Sequence, residues 1–547
     1  MKRNILSILL LFVCIVAFSQ GGQYRTSVRP TKNLIVMIPD GTSIGVVSAA
    51  RWYKIYNNMG SNLHIDPYLC GTVKTYSSNA PIGDSAPTTA CYMTGMPQQT
   101  GNISIYPVAD PDNDLVYVDP NRTYQPLATI LEAGKIDQNK AAGLVFTCEF
   151  PHATPADCAA HYYSRGNYKV IASQMAYQNL DVVIGGGNKY VSDDMKQHFS
   201  NKDINYIKDD IDAFRNISKG KTWALFGEEA FPYDIDRDKK KFPSIEEMTR
   251  KAIEVLSQNE NGFFLMVEGS LVDWAAHAND AVGCITEYLA FDDAVGAAIE
   301  FAKKDGNTTV VVLPDHGNSG FTIGRYGFRY DTASLETLFG AVSKYKITAD
   351  KLEKILVGTP PENIRSTIKE YTDIDIADNE YANILNSRNY HIEDYMKVGE
   401  SRNLKSVLVE IMNARTYFGF TSGGHTGEEV FLAAYHPQGD IPLGMNTNIE
   451  INHYMFDAFG LKTPLNKLTN RIFAKHTEVF AGLKYTIKKV DDRVELEVKK
   501  GRKTLRIPAF SSVAYLNEKA FDIGSVTVYI DKNDTFYLSK DLIKSLE

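Results

Sequence analysis

The sequence predicts an α/β protein with a largely parallel central sheet sandwiched by helices, a helical insertion and a small C-terminal β unit. Several runs are continuously apolar and β-branched, as in strands buried on both faces, and helical patterns follow them. These runs are NLIVMI (33–38), AGLVFT (142–147), DVVIGG (181–186), GFFLMV (262–267), TVVVL (309–313) and EVFLAAY (429–435). Alternating polar and apolar residues after about residue 480 predict the antiparallel C-terminal unit.

The start of the chain has the pattern of a secretory signal peptide, which we place at residues 1–19. Lys2 and Arg3 precede an apolar run from Ile5 to Phe18, as in exported proteins. A membrane anchor is the alternative, but the run is shorter than the roughly 20 residues that span a bilayer. We therefore expect a secreted protein, periplasmic or extracellular, without a stable membrane span.

Residues 20–479 are predicted to form one catalytic domain, in which residues 325–420 are an insertion. At roughly 150 residues per domain, the chain could hold three or four domains, although α/β folds often run larger as one unit. Two helical patterns flank a charged middle, TDIDIADNEY, which we expect to be solvated. The insertion could form a lid, a crown or a homodimer contact, or it could be a passive surface excursion. Residues 480–547 are the predicted β-rich appendage.

The composition argues against two classes of protein. The formal net charge is -8, with acidic and basic residues interspersed, so no basic patch indicates nucleic-acid binding. Five of the six cysteines follow the signal peptide: Cys70, Cys91, Cys148, Cys158 and Cys284. An odd set without CxxC spacing is neither a disulfide framework nor a thiolate zinc site, so we expect mostly buried apolar thiols.

Polar side chains able to bind metals lie at the ends of the predicted strands. Because ligands of parallel sheets gather outside the carboxyl ends of the strands, we expect these residues to converge on one edge. Taken singly, an aspartate could be only a helix cap and a histidine only a buried partner. The residues concerned are Asp40, His152, Thr154, Glu268, Asp315 and His316, with His425 immediately before a strand.

Two further motifs lie close to these strand ends. In VEGSLVDWAAH, Asp273 and His277 are four residues apart, so on a helix they share a face and could hold one metal ion or form a surface pair. In GDSAPTTA, Ser85 precedes a predicted helix whose N-terminus would favour anions, although Ser85 or Asp84 could be only its N-cap. No GxSxG motif or adjacent base accompanies Ser85, so a nucleophilic Ser85 would need a metal.

Arg165 is a candidate for binding phosphate. It follows Thr154 by eleven residues in HATPADCAAHYYSR, so a single helix would place both on roughly the same face. The planar guanidinium matches two phosphate oxygens, although one arginine near a helix end is usually only a partner of the helix dipole.

Six motifs together resemble those of the alkaline phosphatases, in the family's order, from residue 33 to about 437. They are IPDGTS, GDSAPTTA, HATPADCAAHYYSR, VEGSLVDWAAH, LPDHGNSG and GGHTGEEV. The resemblance implies a phosphomonoesterase acting on small phosphate monoesters through a phosphoserine on Ser85, with Arg165 as the phosphate clamp. It also implies two zinc ions and one magnesium ion.

The resemblance assigns a set of ligands to each of the three ions. One zinc would be held by Asp273, His277 and His425. The second would be held by Asp315 and His316, with Asp40 shared between it and the third ion. The third ion, normally magnesium, would take Asp40, Thr154 and Glu268. Magnesium is a hard cation that prefers oxygen ligands, whereas zinc accepts imidazole and carboxylate.

His152 and Trp274 depart from the best-known bacterial members, which have Asp and Lys at these positions. Histidine at the first position resembles the animal enzymes, and the His/Trp pairing resembles certain other bacterial members. Neither change removes a direct ligand, but both bear on the third ion and on the water-mediated contact with phosphate. We therefore count both as cofactor-binding, while Trp274 could equally be core packing.

Two other functions are kept open. A phosphodiesterase or nucleotide pyrophosphatase of the same superfamily would share both zinc sites, but those relatives usually have a threonine nucleophile and lack the third ion's ligands and the arginine. A non-catalytic exported protein that binds metal or phosphate would have lost at least one catalytic group, and none is missing. A sulfatase is disfavoured, because no CxPxR or SxPxR pattern occurs at Ser85.

Overall fold

The computed structural model describes residues 27–388, 403–490 and 493–547. Its centre is a ten-stranded sheet in the order β14-β2-β13-β8-β1-β7-β3-β4-β6-β5. The first fourteen strands are β1 (Asn33–Pro39), β2 (Leu69–Lys74), β3 (Ala141–Glu149), β4 (Val182–Gly186), β5 (Asn205–Lys208), β6 (Thr222–Leu225), β7 (Phe263–Gly269), β8 (Thr308–Val312), β9 (Gly317–Asn318), β10 (Thr322–Ile323), β11 (Phe418–Gly419), β12 (His425–Thr426), β13 (Val430–Tyr435) and β14 (Gly444–Thr447).

The large sheet is mostly parallel, as the sequence predicts. The exception is β13, which runs antiparallel to both of its neighbours, β2 and β8. The start of β13 therefore lies at the edge where β8 ends. The short strands form two antiparallel pairs, β9 with β12 and β10 with β11, beside this edge.

Helices cover both faces of the sheet. The described helices are α1 (Ile44–Tyr56), α2 (Ser85–Thr94), α3 (Ile130–Gln138), α4 (Ala153–Ala159), α5 (Tyr168–Tyr177), α6 (Asp193–Asn201), α7 (Ile211–Arg215), α8 (Ile245–Leu256), α9 (Leu271–His277), α10 (Ala281–Asp305), α11 (Leu335–Phe339), α12 (Ala349–Val357), α13 (Ile364–Thr372), α14 (Asp378–Ser387), α15 (Leu404–Asn413), α16 (Asn448–Ala458), α17 (Leu465–Ile472) and α18 (His476–Val479).

Strand β1 shows why its sequence is apolar throughout. Ile35 and Met37 belong to one apolar core, whereas Leu34, Val36 and Ile38 belong to a second core. Successive side chains of a strand point to opposite faces, so a strand between two helical layers needs apolar residues at every position. The two cores fix the position of the carboxyl edge of the sheet.

The insertion is helical on both sides of its charged middle. Helices α11 to α15 lie here, while residues 389–402 are outside the described part of the chain. The expectation that TDIDIADNEY is solvated is wrong for Ile374 and Ile376, which are buried in the first core. The neighbouring acidic Asp373 and Asp375 instead pair with Lys369. A role as lid, crown or homodimer contact stays a prediction.

The C-terminal region is antiparallel, as the alternation predicts. Its strands are β15 (Ala474–Lys475), β16 (Lys484–Val490), β17 (Arg493–Lys500), β18 (Lys503–Pro508), β19 (Val513–Leu516), β20 (Lys519–Asp522), β21 (Val528–Ile530) and β22 (Thr535–Leu538). Strands β16 to β20 form one five-stranded sheet, and β15, β22 and β21 form a three-stranded sheet. A separate apolar core lies between them. The domain boundary near residue 480 remains a prediction.

The described residues bear on two further expectations. The predicted signal peptide, residues 1–19, lies outside them. Across the described ranges, no helix combines the length and apolar character needed to cross a bilayer. All five cysteines in these ranges are free thiols, and four of them are buried.

Candidate active site

Several strand ends place their polar residues at the same edge of the sheet. Asp40 follows β1 directly, Glu268 is the penultimate residue of β7, and Asp315 follows β8 by three residues. In the registers, Ile38 and Phe146 both lie beside Glu268. Because β13 runs in the opposite direction, the loop and short strand that precede it bring His425 to this edge as well.

One cluster consists of Asp273, His277 and His425. The two Nε2 atoms are 3.1 Å apart, and Asp273 Oδ2 lies 3.5 Å from His277 Nε2. Asp273 Oδ1 is 3.8 Å from His425 Nε2. An imidazole–imidazole–carboxylate set at these distances suits a divalent ion such as zinc.

A second cluster consists of Asp40, Asp315 and His316, all fully buried. His316 Nε2 lies 3.4 Å from Asp40 Oδ1 and 3.6 Å from Asp315 Oδ2. Within the described chain, Asp315 Oδ2 has no hydrogen-bond partner. Burial, then the charges of Asp315 and Asp273, raise the pKa of Asp40 well above its usual range. Buried carboxylates this close together need a compensating cation to stay ionised.

The three histidines are all oriented by backbone carbonyl groups. His277 Nδ1 bonds to Gly423 O at 2.8 Å, and His425 Nδ1 bonds to Gly83 O at 2.9 Å. His316 Nδ1 lies 3.1 Å from the carbonyl oxygen of the next residue. Since a carbonyl only accepts, each Nδ1 carries the proton and each Nε2 offers its lone pair to the cluster, as in metal-binding histidines.

Ser85 is the first residue of α2 and lies next to the second cluster. Its Oγ is 3.2 Å from His316 Nε2 and 3.3 Å from Asp40 Oδ1. Asp84 stands at the N-cap position but makes no capping hydrogen bond with its side chain. A role as an N-cap alone therefore does not explain the contacts of Ser85 and Asp84, because both side chains face the site.

Arg165 reaches the site from a loop. The prediction of one helix from Thr154 to Arg165 is wrong, because α4 ends at Ala159 and the chain then pairs with the segment around Ile103. Arg165 N donates to Gly101 O at 2.7 Å, which fixes the loop.

The Arg165 guanidinium is held by two side chains. Nη1 donates to Asp84 Oδ1 at 2.7 Å, and Nη2 lies 3.2 Å from His152 Nε2. Burial would raise the pKa of Asp84, but Arg165 holds it below its usual range. Burial and then the charge of Arg165 lower the pKa of His152 to about 3, so this imidazole is neutral.

Trp274 follows Asp273 on α9 and contacts His152. The two ring centroids are 6.0 Å apart in an edge-to-face arrangement. Trp274 is half-buried and also packs against both apolar cores. The structure therefore gives Trp274 a packing role and places it beside the site.

Glu268 and Thr154 are fully buried, and a cysteine that was not predicted as a site residue lies beside Glu268. Burial, followed by the charge of Asp315, raises the pKa of Glu268. Cys148 Sγ is 3.4 Å from Glu268 Oε2. Cys148 is the penultimate residue of β3, and this position at the carboxyl end of a strand, four residues before His152, was the available signal.

Three further residues, which were not predicted from the sequence, support the first cluster. Asn318 Nδ2 donates to Asp273 Oδ1 at 2.7 Å. Ser43 Oγ lies 2.7 Å from Asn318 O and 2.5 Å from Glu428 Oε1. All three residues stand inside the motifs LPDHGNSG, IPDGTS and GGHTGEEV. What distinguishes them from the other polar residues of these motifs is their hydrogen bonding to one another and to Asp273 in the folded protein.

The hydrogen bond from Asn318 to Asp273 gives a testable expectation. Asn318→Ala should weaken the binding of added zinc by about 10- to 100-fold, because the Asp273 carboxylate loses its orienting partner. Competition with a coloured zinc chelator measures this affinity. Asn446→Ala, which changes another buried asparagine on β14, is the matched control. Equal zinc affinity in both variants would contradict a role for Asn318.

A serine at a helix N-terminus, beside two clusters of carboxylates and imidazoles at the carboxyl edge of a parallel sheet, defines a class of protein. It is typical of metal-dependent hydrolases that transfer phosphoryl groups. The family model of alkaline phosphatase matches residues 31–461. This chain belongs to the alkaline phosphatase family, and it is a metal-binding phosphatase.

Individual relatives agree with the family assignment. Alkaline phosphatase 3 of Bacillus subtilis is 33% identical over 458 residues, covering 80% of this chain and 90% of the relative. The crystal structure of a cold-active alkaline phosphatase from Shewanella is 27% identical, with a TM-score of 0.67, and covers 78% of this chain and 99% of that chain. The alkaline phosphatase of Thermus thermophilus shares the fold, with a TM-score of 0.70 at 23% identity, over 81% of this chain and 95% of that one.

Proposed function

We propose that this phosphatase hydrolyses small phosphate monoesters through a phosphoserine formed on Ser85. The observation that carries the proposal is the position of Ser85 Oγ, 3.2 Å from His316 Nε2 at the N-terminus of α2. Ser85 Oγ would form a bond to phosphorus while the ester oxygen leaves, and water would then hydrolyse the phosphoserine. The N–H groups of α2 favour the negative charge of the phosphate.

We further propose that the two imidazole clusters each hold one zinc ion. Their donor sets fit zinc, because they combine neutral Nε2 lone pairs with carboxylates. A third, harder ion, for which magnesium is the expected species, fits the oxygens of Asp40, Thr154 and Glu268. When bound, the ions would supply positive charge that lowers the pKa of the serine hydroxyl and stabilises the leaving oxygen.

Several residues would position the nucleophile and the substrate. Asp40 Oδ1 and His316 Nε2 are both within 3.3 Å of Ser85 Oγ, so an ion held by these atoms would lie next to the hydroxyl and favour loss of its proton to water. Arg165 is held by Asp84, so its guanidinium is oriented before substrate binds. A preoriented guanidinium can donate to two non-bridging phosphate oxygens.

Arg165 separates the monoesterase from the phosphodiesterase alternative. Arg165→Ala should lower kcat/KM for p-nitrophenyl phosphate by about 100-fold, since two charge-assisted hydrogen bonds of about 1.5 kcal/mol or more are lost. The loss should be smaller for bis-p-nitrophenyl phosphate, because a diester has one fewer non-bridging oxygen. Steady-state kinetics with both esters measures the two ratios.

Arg250→Ala is the control for this experiment, because Arg250 makes ion pairs with Glu246 and Glu300 on the surface. Its kinetics should match those of the unchanged protein. A wild-type protein that prefers the diester would favour the phosphodiesterase, and a protein that binds zinc but hydrolyses neither ester would favour the non-catalytic alternative.

We propose that the protein acts after export. The support is the pattern of residues 1–19, in which basic residues precede an apolar run. Fractionation of cells that produce the full-length protein, with assay of phosphatase activity in each fraction, tests this. Activity confined to the cytoplasm would contradict the proposal.

A further inference from the structure

Cys148 is a thiol placed among the ligands of the proposed third ion. It is the eighth residue of β3, fully buried, and its Sγ is 3.4 Å from Glu268 Oε2. The proposed oxygen ligands of the third ion include this same Glu268. The proposed function gives Cys148 no role.

Three different donor types converge at this point. One ligand atom each from Cys148, His152 and Glu268 lie within 4.8 Å of one another. Glu268 is fully buried, and its Oε1 has no hydrogen bond of normal geometry with any described residue. A buried carboxylate oxygen without such a bond is costly, so this position would be stabilised by a bound cation.

The donor set differs from that of a magnesium site. Magnesium prefers oxygen ligands in octahedral geometry. Sulfur, imidazole nitrogen and carboxylate oxygen are instead the ligands of zinc and of other borderline divalent ions. Two donor sets therefore share Glu268: the oxygen set with Asp40 and Thr154, and the mixed set with Cys148 and His152.

We propose that Cys148, His152 and Glu268 form a zinc site that competes with the proposed magnesium site for the Glu268 carboxylate. The proposal rests on the proposed function for the oxygen set. Binding would release the thiol proton of Cys148 to solvent, since the thiolate is the metal ligand. Because both donor sets need the Glu268 carboxylate turned toward them, zinc held by Cys148 and His152 would draw this carboxylate away from the oxygen set.

Zinc at this site would also act on the phosphate clamp. Arg165 can only donate, so its contact with His152 Nε2 occupies the single lone pair of a neutral imidazole. A metal bound through His152 needs that lone pair, and the hydrogen bond from Arg165 must break. Zinc in excess should therefore raise KM for p-nitrophenyl phosphate, an effect that added magnesium reverses.

Cobalt(II) provides a probe that does not depend on activity, because a cobalt–thiolate bond gives a charge-transfer absorption in the near ultraviolet. The full-length protein is first loaded with two equivalents of zinc and then titrated with cobalt(II). The expected result is a thiolate absorption that saturates at one cobalt per chain. Elemental analysis with excess zinc should likewise give three zinc ions per chain.

Three variants make the result specific. Cys148→Ala should lose the absorption, and Cys148→Ser should lose it while keeping the size of the side chain. Cys91→Ala, which changes another fully buried free cysteine, should retain both the absorption and the catalytic activity. Absence of a thiolate absorption in the unchanged protein, or its retention in Cys148→Ser, would overturn the proposal.

Ser85→Ala separates this inference from the proposed function. The inactive variant should still bind cobalt with the same absorption, because Ser85 is not a ligand of the mixed set. An unchanged protein that shows the absorption but no hydrolysis would contradict the proposed function alone. A protein that hydrolyses p-nitrophenyl phosphate without the absorption would contradict the cysteine site alone.

Discussion

Ser85→Ala should lower kcat for p-nitrophenyl phosphate by at least about 1,000-fold, as loss of a nucleophile does in other covalent hydrolases. Ser85 Oγ is the hydroxyl that contacts the second cluster, through His316 and Asp40. Alanine removes only this oxygen and keeps the N-terminus of α2. Stopped-flow and steady-state assays, with the zinc content measured in parallel, give the size of the loss.

The matched control is Ser78→Ala, because the Ser78 hydroxyl is also buried but makes no hydrogen bond within the described chain. Its kcat should stay within about twofold of the unchanged protein. A Ser85→Ala protein that keeps its zinc and still turns over at a comparable rate would show that another group attacks phosphorus. In that case the phosphoserine mechanism fails, whereas the family assignment stands.

Removal of the metal ions should abolish hydrolysis and also destabilise the protein. Each ion present at about 1,000 times its dissociation constant contributes about 4 kcal/mol to the free energy of unfolding. Without cations, the buried carboxylates of Asp40, Asp315 and Glu268 repel one another. Dialysis against a chelator, followed by activity assays and thermal unfolding, measures both effects.

The loss of stability should grow with pH. In the metal-free protein the pKa values of Asp40 and Glu268 are raised, whereas in the unfolded chain they lie near 4. Between these values the folded state holds more protons than the unfolded state, so its stability falls as pH rises. The difference in Tm between the loaded and metal-free proteins should therefore be larger at pH 8 than at pH 5.

Addition of zinc should restore activity, whereas magnesium alone should not, because neither imidazole cluster suits a hard ion. Asp40→Asn provides a control for the pH effect, since it removes one of the two carboxylates that cause it. Hydrolysis that survives complete removal of the ions would contradict a metal-dependent mechanism.

The sequence was sufficient to predict the central sheet and the convergence of its strand ends. Runs such as TVVVL are apolar at every position, which is characteristic of strands covered on both faces. The direction of β13 could not be predicted, because the apolar pattern of a strand does not indicate whether the strand runs parallel or antiparallel to its neighbours. Its reversal explains how His425 can precede its strand and still lie at the same edge as Asp315.

Contacts between separate segments were harder to predict. Arg165 lies on a loop that a hydrogen bond to Gly101 holds in place, and this loop brings it beside Asp84. Helical periodicity contains no information about such a loop. Cys148 was grouped with the apolar thiols because the five cysteines lack the spacing of a thiolate metal site, although its neighbour in space is Glu268. Asn318 contacts Asp273 through a tertiary hydrogen bond that no local pattern specifies.

The stacking of two histidine rings links the two imidazole clusters. The His316 and His425 ring centroids are 3.8 Å apart, and β9 and β12 pair immediately beside them. An ion that fixes one ring would restrict the other, so binding of a first ion should lower the entropic cost of binding a second. Loading with zinc is therefore expected to be cooperative, with few half-filled molecules when zinc is scarce.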